Sequence, residues 1–410
     1  MQLACAPTYS GTVAQRVFLH IGTPKSGTTY IQNILAANKK DLAQTEGLLF
    51  PGRSWRYQML AVCDVRGLQP HGRVLPESPG AWTRLTEEIE AWPDSAIISM
   101  EWLADATAAE AQRVVAGLAP AQVDVVVTVR DLGRTLPSAW QEFVQNGRTW
   151  TWEEFLASVS AADPSTSPAG AQFWSQQDIG RILRNWVPPV GPDRVAVVTV
   201  PGPGSASTLL WERCAGVFGI ADPGRYRPAS KGNESLGVES TEFLRLVNLE
   251  CEAQQVSWAT YNRMMKIRLA KRGLSARRSH ESRLAVPEGL WPWVAQRAQE
   301  QVRAVHEAGV RTVGDLDDLV PQAVSGIQPS DVPPEALLEA AVAGVVSLAS
   351  QSDREMERLR GSPPPAQHQE LAQGSRPSAT DVAGSSGTTR LLTRARAKSR
   401  SVRARLRRHG

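Results

Sequence analysis

The sequence predicts an α/β fold in which a parallel sheet is flanked by helices on both faces. Short apolar runs alternate with helical segments over most of the chain, which is the pattern of successive βα units. The run VDVVVTV at 123–129 is apolar on both of its faces, as expected of a central strand covered by helices on two sides. The run RVFLHI at 16–21 leads through a glycine-bounded loop into a helical segment, so this loop is predicted to lie at a strand end.

The predicted strands are separated by stretches long enough to hold a helix. After 16–21 come a short strand at 48–51, SAIISM at 95–100, the strong strand at 123–129 and RVAVVTV at 194–200. Each run is short and apolar and is bounded by polar or turn-forming residues, which is typical of a buried strand.

The predicted helices have apolar residues that recur every three or four positions. They cover 28–38, 108–118, 136–145, 178–187, 207–219 and 239–270. Residues 52–93 lack clear periodicity and are interpreted as a lid or substrate loop. Residues 151–170 are interpreted as a helix start followed by a loop, and residues 275–330 as helix and loop that close the domain.

Composition divides the chain into four parts: a loose leader at 1–15, the α/β domain at 16–330, a C-terminal helix at 331–360 and a tail at 361–410. The tail has ten basic and two acidic residues, a charge of +8, whereas residues 1–360 have 35 basic and 39 acidic residues, a charge of −4. Because the tail has few apolar residues to offset its ordering entropy, it is predicted to be disordered. Its arginines suggest contact with nucleic acid or anionic lipid, and the alternative is a flexible solubilising tail.

Cysteine usage and hydropathy favour a cytoplasmic protein. The four cysteines are scattered without paired spacing, which argues against a disulfide framework or a zinc site and suits a reducing compartment. No apolar run approaches the ~20 residues that span a bilayer. The first fifteen residues lack the basic start and apolar core of a signal peptide.

The loop in HIGTPKSGTTY predicts an anion site. Gly22 and Gly27 permit a tight backbone, and the helix that follows directs its first N–H groups and the positive end of its dipole at the loop. Thr28 and Thr29 lie in the first predicted helical turn and add hydroxyl donors. The arrangement is P-loop-like, so bound phosphate is expected.

The position of the lysine distinguishes this loop from the loop of nucleoside-triphosphate enzymes. In that loop a lysine follows the second glycine, and the next Ser or Thr holds Mg²⁺. Here Thr28 and Thr29 follow Gly27, and Lys25 lies inside the loop. The only strand-end Asp that could serve a metal is Asp131, directly after Arg130. The loop therefore favours a phosphate-borne group that needs no metal.

These residues resemble a known family. Thr23, Pro24, Lys25, Ser26, Gly27, Thr28 and Thr29 look like the 5′-phosphosulfate loop of the sulfotransferases that use 3′-phosphoadenosine 5′-phosphosulfate (PAPS). A second element follows the strongest strand, where Arg130 and Ser138 have the separation of the family's 3′-phosphate ligands. An Arg fork can bind phosphate bidentately, and a Ser farther along the helix adds a hydroxyl donor.

The resemblance covers residues 16–210 and extends more weakly through NESLGVESTEFLRLVN at 233–248, where it looks bacterial and actinobacterial in type. It implies that Lys25 stabilises charge on the leaving 5′-phosphate. It also implies a base after the strand that precedes Arg130, where Glu101 follows SAIISM; a carboxylate at the carboxyl end of a parallel strand faces the ligand crevice. The alternative for Glu101 is a first-turn carboxylate stabilised by a helix dipole. Lys231 is a further candidate cofactor contact, and a surface lysine is the alternative.

The predicted function is therefore transfer of a sulfuryl group from PAPS, leaving 3′-phosphoadenosine 5′-phosphate (PAP), to a hydroxyl of a glycan, glycolipid or secondary metabolite. Two other functions stay open: a P-loop kinase or nucleotidase that uses ATP and Mg²⁺, and a sulfotransferase-fold protein that binds PAP without catalysis. No metal site and no membrane span are expected.

Overall fold

The computed structural model describes residues 14–226 and 235–361. Residues 1–13 of the predicted leader, Lys231, and residues 362–410 of the predicted tail lie outside the described residues. Contacts divide the chain after residue 354, and of the second unit only 355–361, the end of the last helix, are described.

A six-stranded parallel sheet forms the centre of the larger unit. The strands are β1 (Arg16–His20), β2 (Leu48–Leu49), β3 (Ser95–Ser99), β4 (Gln122–Val129), β5 (Val195–Thr199) and β6 (Arg311–Val313), in the spatial order β2-β3-β1-β4-β5-β6. The predicted parallel α/β sheet is confirmed. The sixth strand was not predicted, because three partly exposed residues have no recognisable apolar pattern.

Thirteen α-helices are described. Their bounds are α1 Thr28–Thr45, α2 Trp55–Arg66, α3 Ala81–Glu90, α4 Ala108–Ala116, α5 Leu132–Gln145, α6 Trp152–Ser160, α7 Pro168–Gln177, α8 Ile179–Val190, α9 Leu209–Phe218, α10 Val238–Ala253, α11 Trp258–Tyr261, α12 Trp291–Glu307 and α13 Pro334–Gly361. A π-helix, Asn262–Gly273, follows α11 directly.

Two predictions about these helices are wrong. Residues 52–93 are not a structureless lid, since α2 and α3 lie there and pack against each other. The apolar spacing of Trp82, Leu85 and Ile89 does mark α3, but surrounding Pro and Gly residues hide it. The single helix predicted at 239–270 is broken at 254–257, after which the chain continues as α11 and the π-helix.

Alternate residues of the strands are buried under different helices. Val17, Leu19 and Val125 join the apolar cluster that contains α2, α3, α4 and α8, whereas Phe18 and Val126 join the cluster that contains α1 and α9. Because successive side chains of a strand point to opposite faces, helices cover both sides of the sheet. A third cluster, built mainly from α5, α6, α7 and α10, packs beside the sheet.

The strand order brings three strand ends together. β1 lies between β3 and β4, with His20 paired to Ser99 on one side and to Val126 on the other. The chain leaves β1 for strands on one side of it and later returns to the other side. Ligands of open α/β sheets bind outside the carboxyl ends of the strands at such a reversal, so the loops after β1, β3 and β4 form the expected crevice.

Candidate functional site

The loop after β1 has an unusual backbone. Gly22, Lys25 and Gly27 have positive φ values of 40°, 70° and 86°. A Cβ at Gly22 would lie 2.3 Å from Cγ2 of Thr28, so glycine is required there. Lys25 adopts the left-handed conformation with a side chain present, a strained state that clusters at ligand-binding sites. The lysine is therefore presented from the crown of the loop.

The N-terminus of α1 is open toward the crevice. Gly27 is its N-cap residue, and no side chain caps this end. The N–H groups of Thr28 and Thr29 have no acceptor in the described structure, whereas that of Tyr30 donates to the Gly27 carbonyl at 3.0 Å. Thr28 and Thr29 both line the crevice. Free N–H groups and the dipole of an 18-residue helix make this end a binding site for an anion.

A buried chain of hydroxyl groups supports the loop from below. The Ser26 hydroxyl donates to the Thr23 carbonyl at 2.6 Å and is 2.6 Å from Oγ1 of Thr128. Thr128 is in turn 3.2 Å from Nε2 of His20, and Nδ1 of His20 is 2.7 Å from the Ser99 hydroxyl. Since Ser26 uses its only proton on Thr23, it accepts from Thr128, and Thr128 accepts from His20.

These donor assignments fix the tautomer of His20: Nε2 carries the proton, and Nδ1 accepts from Ser99. Burial lowers the pKa of His20 to about 4, so the ring is neutral and the chain of hydrogen bonds stays intact near neutral pH. Thr23 and Ser26 are buried and thus shape the loop from within.

Arg130 lies directly after β4, and Ser138 lies on α5. One guanidinium nitrogen of Arg130 is 3.4 Å from the Ser138 hydroxyl and 3.4 Å from the Lys25 carbonyl. Desolvation by burial lowers the pKa of Arg130 to about 10. Across residues 14–226 and 235–361, no carboxylate lies within ion-pair distance of it. A largely buried guanidinium that has no carboxylate partner is suited to bind an anion.

The neighbouring Arg134 has a different environment. It forms an ion pair with the buried Asp131 and donates to the Pro201 carbonyl at 3.0 Å. Asp131 also accepts from the Arg134 backbone N–H at 2.9 Å. Arg134 thus holds the start of α5, and of the two arginines only Arg130 lines the crevice.

Glu142 is a residue of the crevice that the sequence analysis missed. It lies on α5, four residues after Ser138, and its carboxylate is 3.4 Å from Nζ of Lys25. The spacing of four from Ser138 was the available signal, because residues i and i+4 share a helix face. On its own, a glutamate in a helix is usually a solvated one.

Glu101 begins a short 3₁₀ turn, Glu101–Leu103, after β3. Gln32 of α1 donates to its Oε2 at 2.9 Å and also to the Ser99 carbonyl at 3.0 Å. Burial is the main cause that raises the pKa of Glu101; Glu142 raises it further, whereas hydrogen bonds and Lys25 lower it. The carboxyl group is therefore close enough to Lys25 and Glu142 to be influenced by their charges.

The Lys25 loop, Arg130, Ser138, Glu142 and Glu101 face one crevice, named here the cleft, with a volume of about 1360 Å³. Of the residues predicted for the site, the cleft is lined by Pro24, Lys25, Gly27, Thr28, Thr29, Glu101, Arg130 and Ser138. Lys231 cannot be placed, as it lies outside the described residues. In the described parts of the chain, no group of three or more His, Cys, Asp or Glu side chains is arranged to hold a metal ion.

Comparison with known proteins gives one solved structure. No family model and no curated protein matches the chain. The crystal structure of a sulfotransferase from Alicyclobacillus acidocaldarius aligns with a TM-score of 0.39 and 14% identity, over 73% of this chain and 97% of that one. A similarity this low assigns no function to the chain. Over the described residues, no helix is both long and apolar enough to cross a membrane.

Proposed function

We propose that this protein transfers a sulfuryl group from PAPS to a hydroxyl group of a small molecule or carbohydrate. The observation that carries the proposal is the convergence, in one cleft, of the Lys25 loop, the Arg130–Ser138 pair and the partly buried carboxyl group of Glu101. Each is a poor indicator alone, but together they supply two anion sites and a base.

The residues present fit a nucleotide with two phosphate-bearing ends. The open N-terminus of α1 and Lys25 would hold the 5′-phosphosulfate. Arg130 and Ser138 would hold the 3′-phosphate. Its negative charge would compensate the charge of the Arg130 guanidinium, which is largely buried and has no carboxylate partner in the described residues. The guanidinium also reaches the Lys25 carbonyl, so the two anion sites adjoin.

The chemistry divides among three side chains. When bound, PAPS supplies an activated sulfuryl group whose leaving group is the 5′-phosphate. Lys25 stabilises the negative charge that develops on the leaving oxygen. Glu101 accepts the proton of the acceptor hydroxyl, and its raised pKa makes it a stronger base than an exposed carboxylate. Gln32 orients Glu101 through its hydrogen bond.

Glu142 has a separate role in this scheme. Its ion pair with Lys25 holds the ammonium group over the loop before any anion arrives. A phosphate at the N-terminus of α1 would compete with Glu142 for Lys25. Glu142 is half-exposed, so it can turn toward solvent at little cost when the nucleotide binds.

We assign this activity to residues 16–330 and place the enzyme in the cytoplasm, where scattered free cysteines are stable. The helix at 331–360 and the basic tail at 361–410 lie outside the proposed catalytic domain.

Calorimetry with PAP and with ATP, each with and without Mg²⁺, tests the proposal. PAP is expected to bind without Mg²⁺ and more tightly than ATP. Binding of ATP with Mg²⁺ and no binding of PAP would instead identify a P-loop kinase or nucleotidase. PAP binding without transfer to any hydroxyl acceptor would leave a binding protein of the same fold.

A further inference from the structure

The floor of the cleft continues beyond Glu142 along α5. Ser138, Glu142 and Asn146, the C-cap residue, follow at intervals of four, so they form one row on the helix. At 1.5 Å per residue the row is about 12 Å long. Its first member lies beside Arg130, and its second pairs with Lys25. The third therefore lies about one helical turn, roughly 6 Å, beyond the Lys25–Glu142 pair.

Two lysines of the π-helix face this end of the cleft. Lys266 donates to Oδ1 of Asn146 at 2.6 Å, and both Lys266 and Lys271 line the cleft. A π-helix has i→i+5 hydrogen bonds, which bring residues five apart to the same side. In an α-helix the same two residues would point in clearly different directions. π-Helical segments are rare and, as bulges within α-helices, are frequent at functional sites.

The partners of Lys266 are uncharged: the Asn146 amide oxygen and the Trp258 ring, whose centre lies 6.0 Å from Nζ. In the described segments, no carboxylate lies within ion-pair distance of Lys266 or Lys271. Burial is the main cause that lowers the pKa of Lys266, and Lys271 lowers it further, whereas Glu142 raises it. Two neighbouring ammonium groups, one of them largely desolvated, create a site that a bound oxyanion would stabilise.

We propose that the acceptor of the transfer reaction carries an oxyanion, a carboxylate or a sulfate, which Lys266 and Lys271 bind. The proposal rests on the proposed function for the identity of the reaction. The spacing along α5 indicates the acceptor's size, since Asn146, to which Lys266 donates, lies on the order of 6 Å along the helix from Glu142, the partner of Lys25. That span corresponds to about one sugar ring between the reacting hydroxyl and the charged group.

The competing explanation is structural. A cation near the C-terminus of α5 interacts favourably with the helix dipole, and Lys266 could be present only for that. This explanation does not extend to Lys271, which is exposed and for which no hydrogen bond from its side chain to α5 is present in the described structure.

Three probes that differ only at C6 test the proposal: 4-nitrophenyl β-glucoside, its glucuronide and its 6-sulfate. Their affinities for the full chain are measured by calorimetry, with and without PAP. We expect the two charged probes to bind at least about tenfold more tightly than the glucoside, the gain expected from a charge-assisted hydrogen bond. Lys271→Met should reduce this preference several-fold, and the Lys266→Met/Lys271→Met double variant should abolish it.

Arg272→Met is the matched control, because Arg272 is the next residue, is exposed and does not line the cleft. Arg272→Met should leave the preference for charged probes unchanged. Lys266→Arg, which keeps the positive charge, should retain most of that preference. Equal binding of the three probes to the natural protein, binding of none, or an unchanged preference in Lys271→Met and the double variant would overturn the proposal. If the double variant melts at a lower temperature and keeps the preference for charged probes, Lys266 serves only to stabilise the C-terminal end of α5.

PAP binding is measured separately, so the two proposals fail independently. Binding of PAP with no preference for charged probes leaves the transferase proposal standing and overturns this one. A preference for charged probes without PAP binding supports the lysine site and overturns the transferase proposal.

Discussion

Replacement of Arg130 by Met tests the anion site in the absence of any acceptor. Burial lowers the pKa of Arg130 well below its usual value, to about 10. At about 1.36 kcal/mol per pKa unit, the buried charge destabilises the ligand-free protein by about 3 kcal/mol at neutral pH. Met removes the charge and keeps most of the apolar volume, so the variant without ligand should be more stable than the natural protein.

The size of the effect follows from the length of the folded chain. An unfolding entropy of about 2.1 cal/mol/K per residue over residues 14–361 converts 3 kcal/mol into a rise of about 4 °C in melting temperature. PAP affinity should fall at least about 30-fold, because loss of a buried charged hydrogen-bond donor costs about 2 kcal/mol or more. Scanning calorimetry and titration calorimetry measure the two quantities on the same samples.

Arg134→Met is the control for this experiment. Arg134 is paired with Asp131, which is 3% exposed, so its removal leaves a buried carboxylate without its partner and should cost about 3 kcal/mol. The two variants should therefore shift the melting temperature in opposite directions. A destabilised Arg130→Met protein with unchanged PAP affinity would show that Arg130 is structural and would refute the reasoning.

Three further predictions concern the reacting groups. Lys25→Ala should lower the transfer rate about 100- to 1000-fold with a smaller loss of PAP affinity, and unchanged turnover would contradict its role. Glu101→Gln should lower the rate by about 10²–10⁴ with PAP binding retained; a collapse of binding at an unchanged rate per bound cofactor would make Glu101 a binding residue. Folding raises the pKa of Glu101, so the natural protein loses stability as pH rises through that pKa. Glu101→Gln should therefore melt at a higher temperature than the natural protein at neutral pH, and the difference should vanish below about pH 4. Glu142→Gln should tighten PAP binding about two- to fivefold by freeing Lys25, a modest effect because the carboxylate is 45% exposed; weaker binding, measured by calorimetry, would argue that Glu142 positions Lys25.

The sequence predicts those parts of the molecule whose chemistry is local. The buried strands are recognisable as apolar runs. The glycines on either side of Lys25 indicate the loop, because the tight backbone there requires residues without a side chain. Since parallel strands end at one edge of a sheet, the positions of Glu101 and Arg130 after their strands suffice to predict that they lie near this loop.

Other features depend on tertiary contacts that leave no local pattern. Glu142 looks like any helical glutamate until α5 packs against the loop that contains Lys25. Lys266 lies within a segment whose composition suits an ordinary α-helix, and nothing in its letters indicates i→i+5 hydrogen bonding. β6 is too short for any periodicity, and it exists because the edge of β5 offers hydrogen-bonding groups to pair with.

The buried ring of His20 makes the fold sensitive to acid. Its pKa is about 4 in the folded protein and about 6.5 in an unfolded chain. The unfolded chain therefore takes up a proton first as the solution is acidified, and about 3 kcal/mol of stability is lost between pH 6.5 and pH 4. In the folded protein the imidazole stays uncharged above about pH 4, so a change of rate on mild acidification reports another group, with Glu101 the foremost candidate. Protein stored or assayed near pH 5 loses its margin against unfolding before the ring itself titrates.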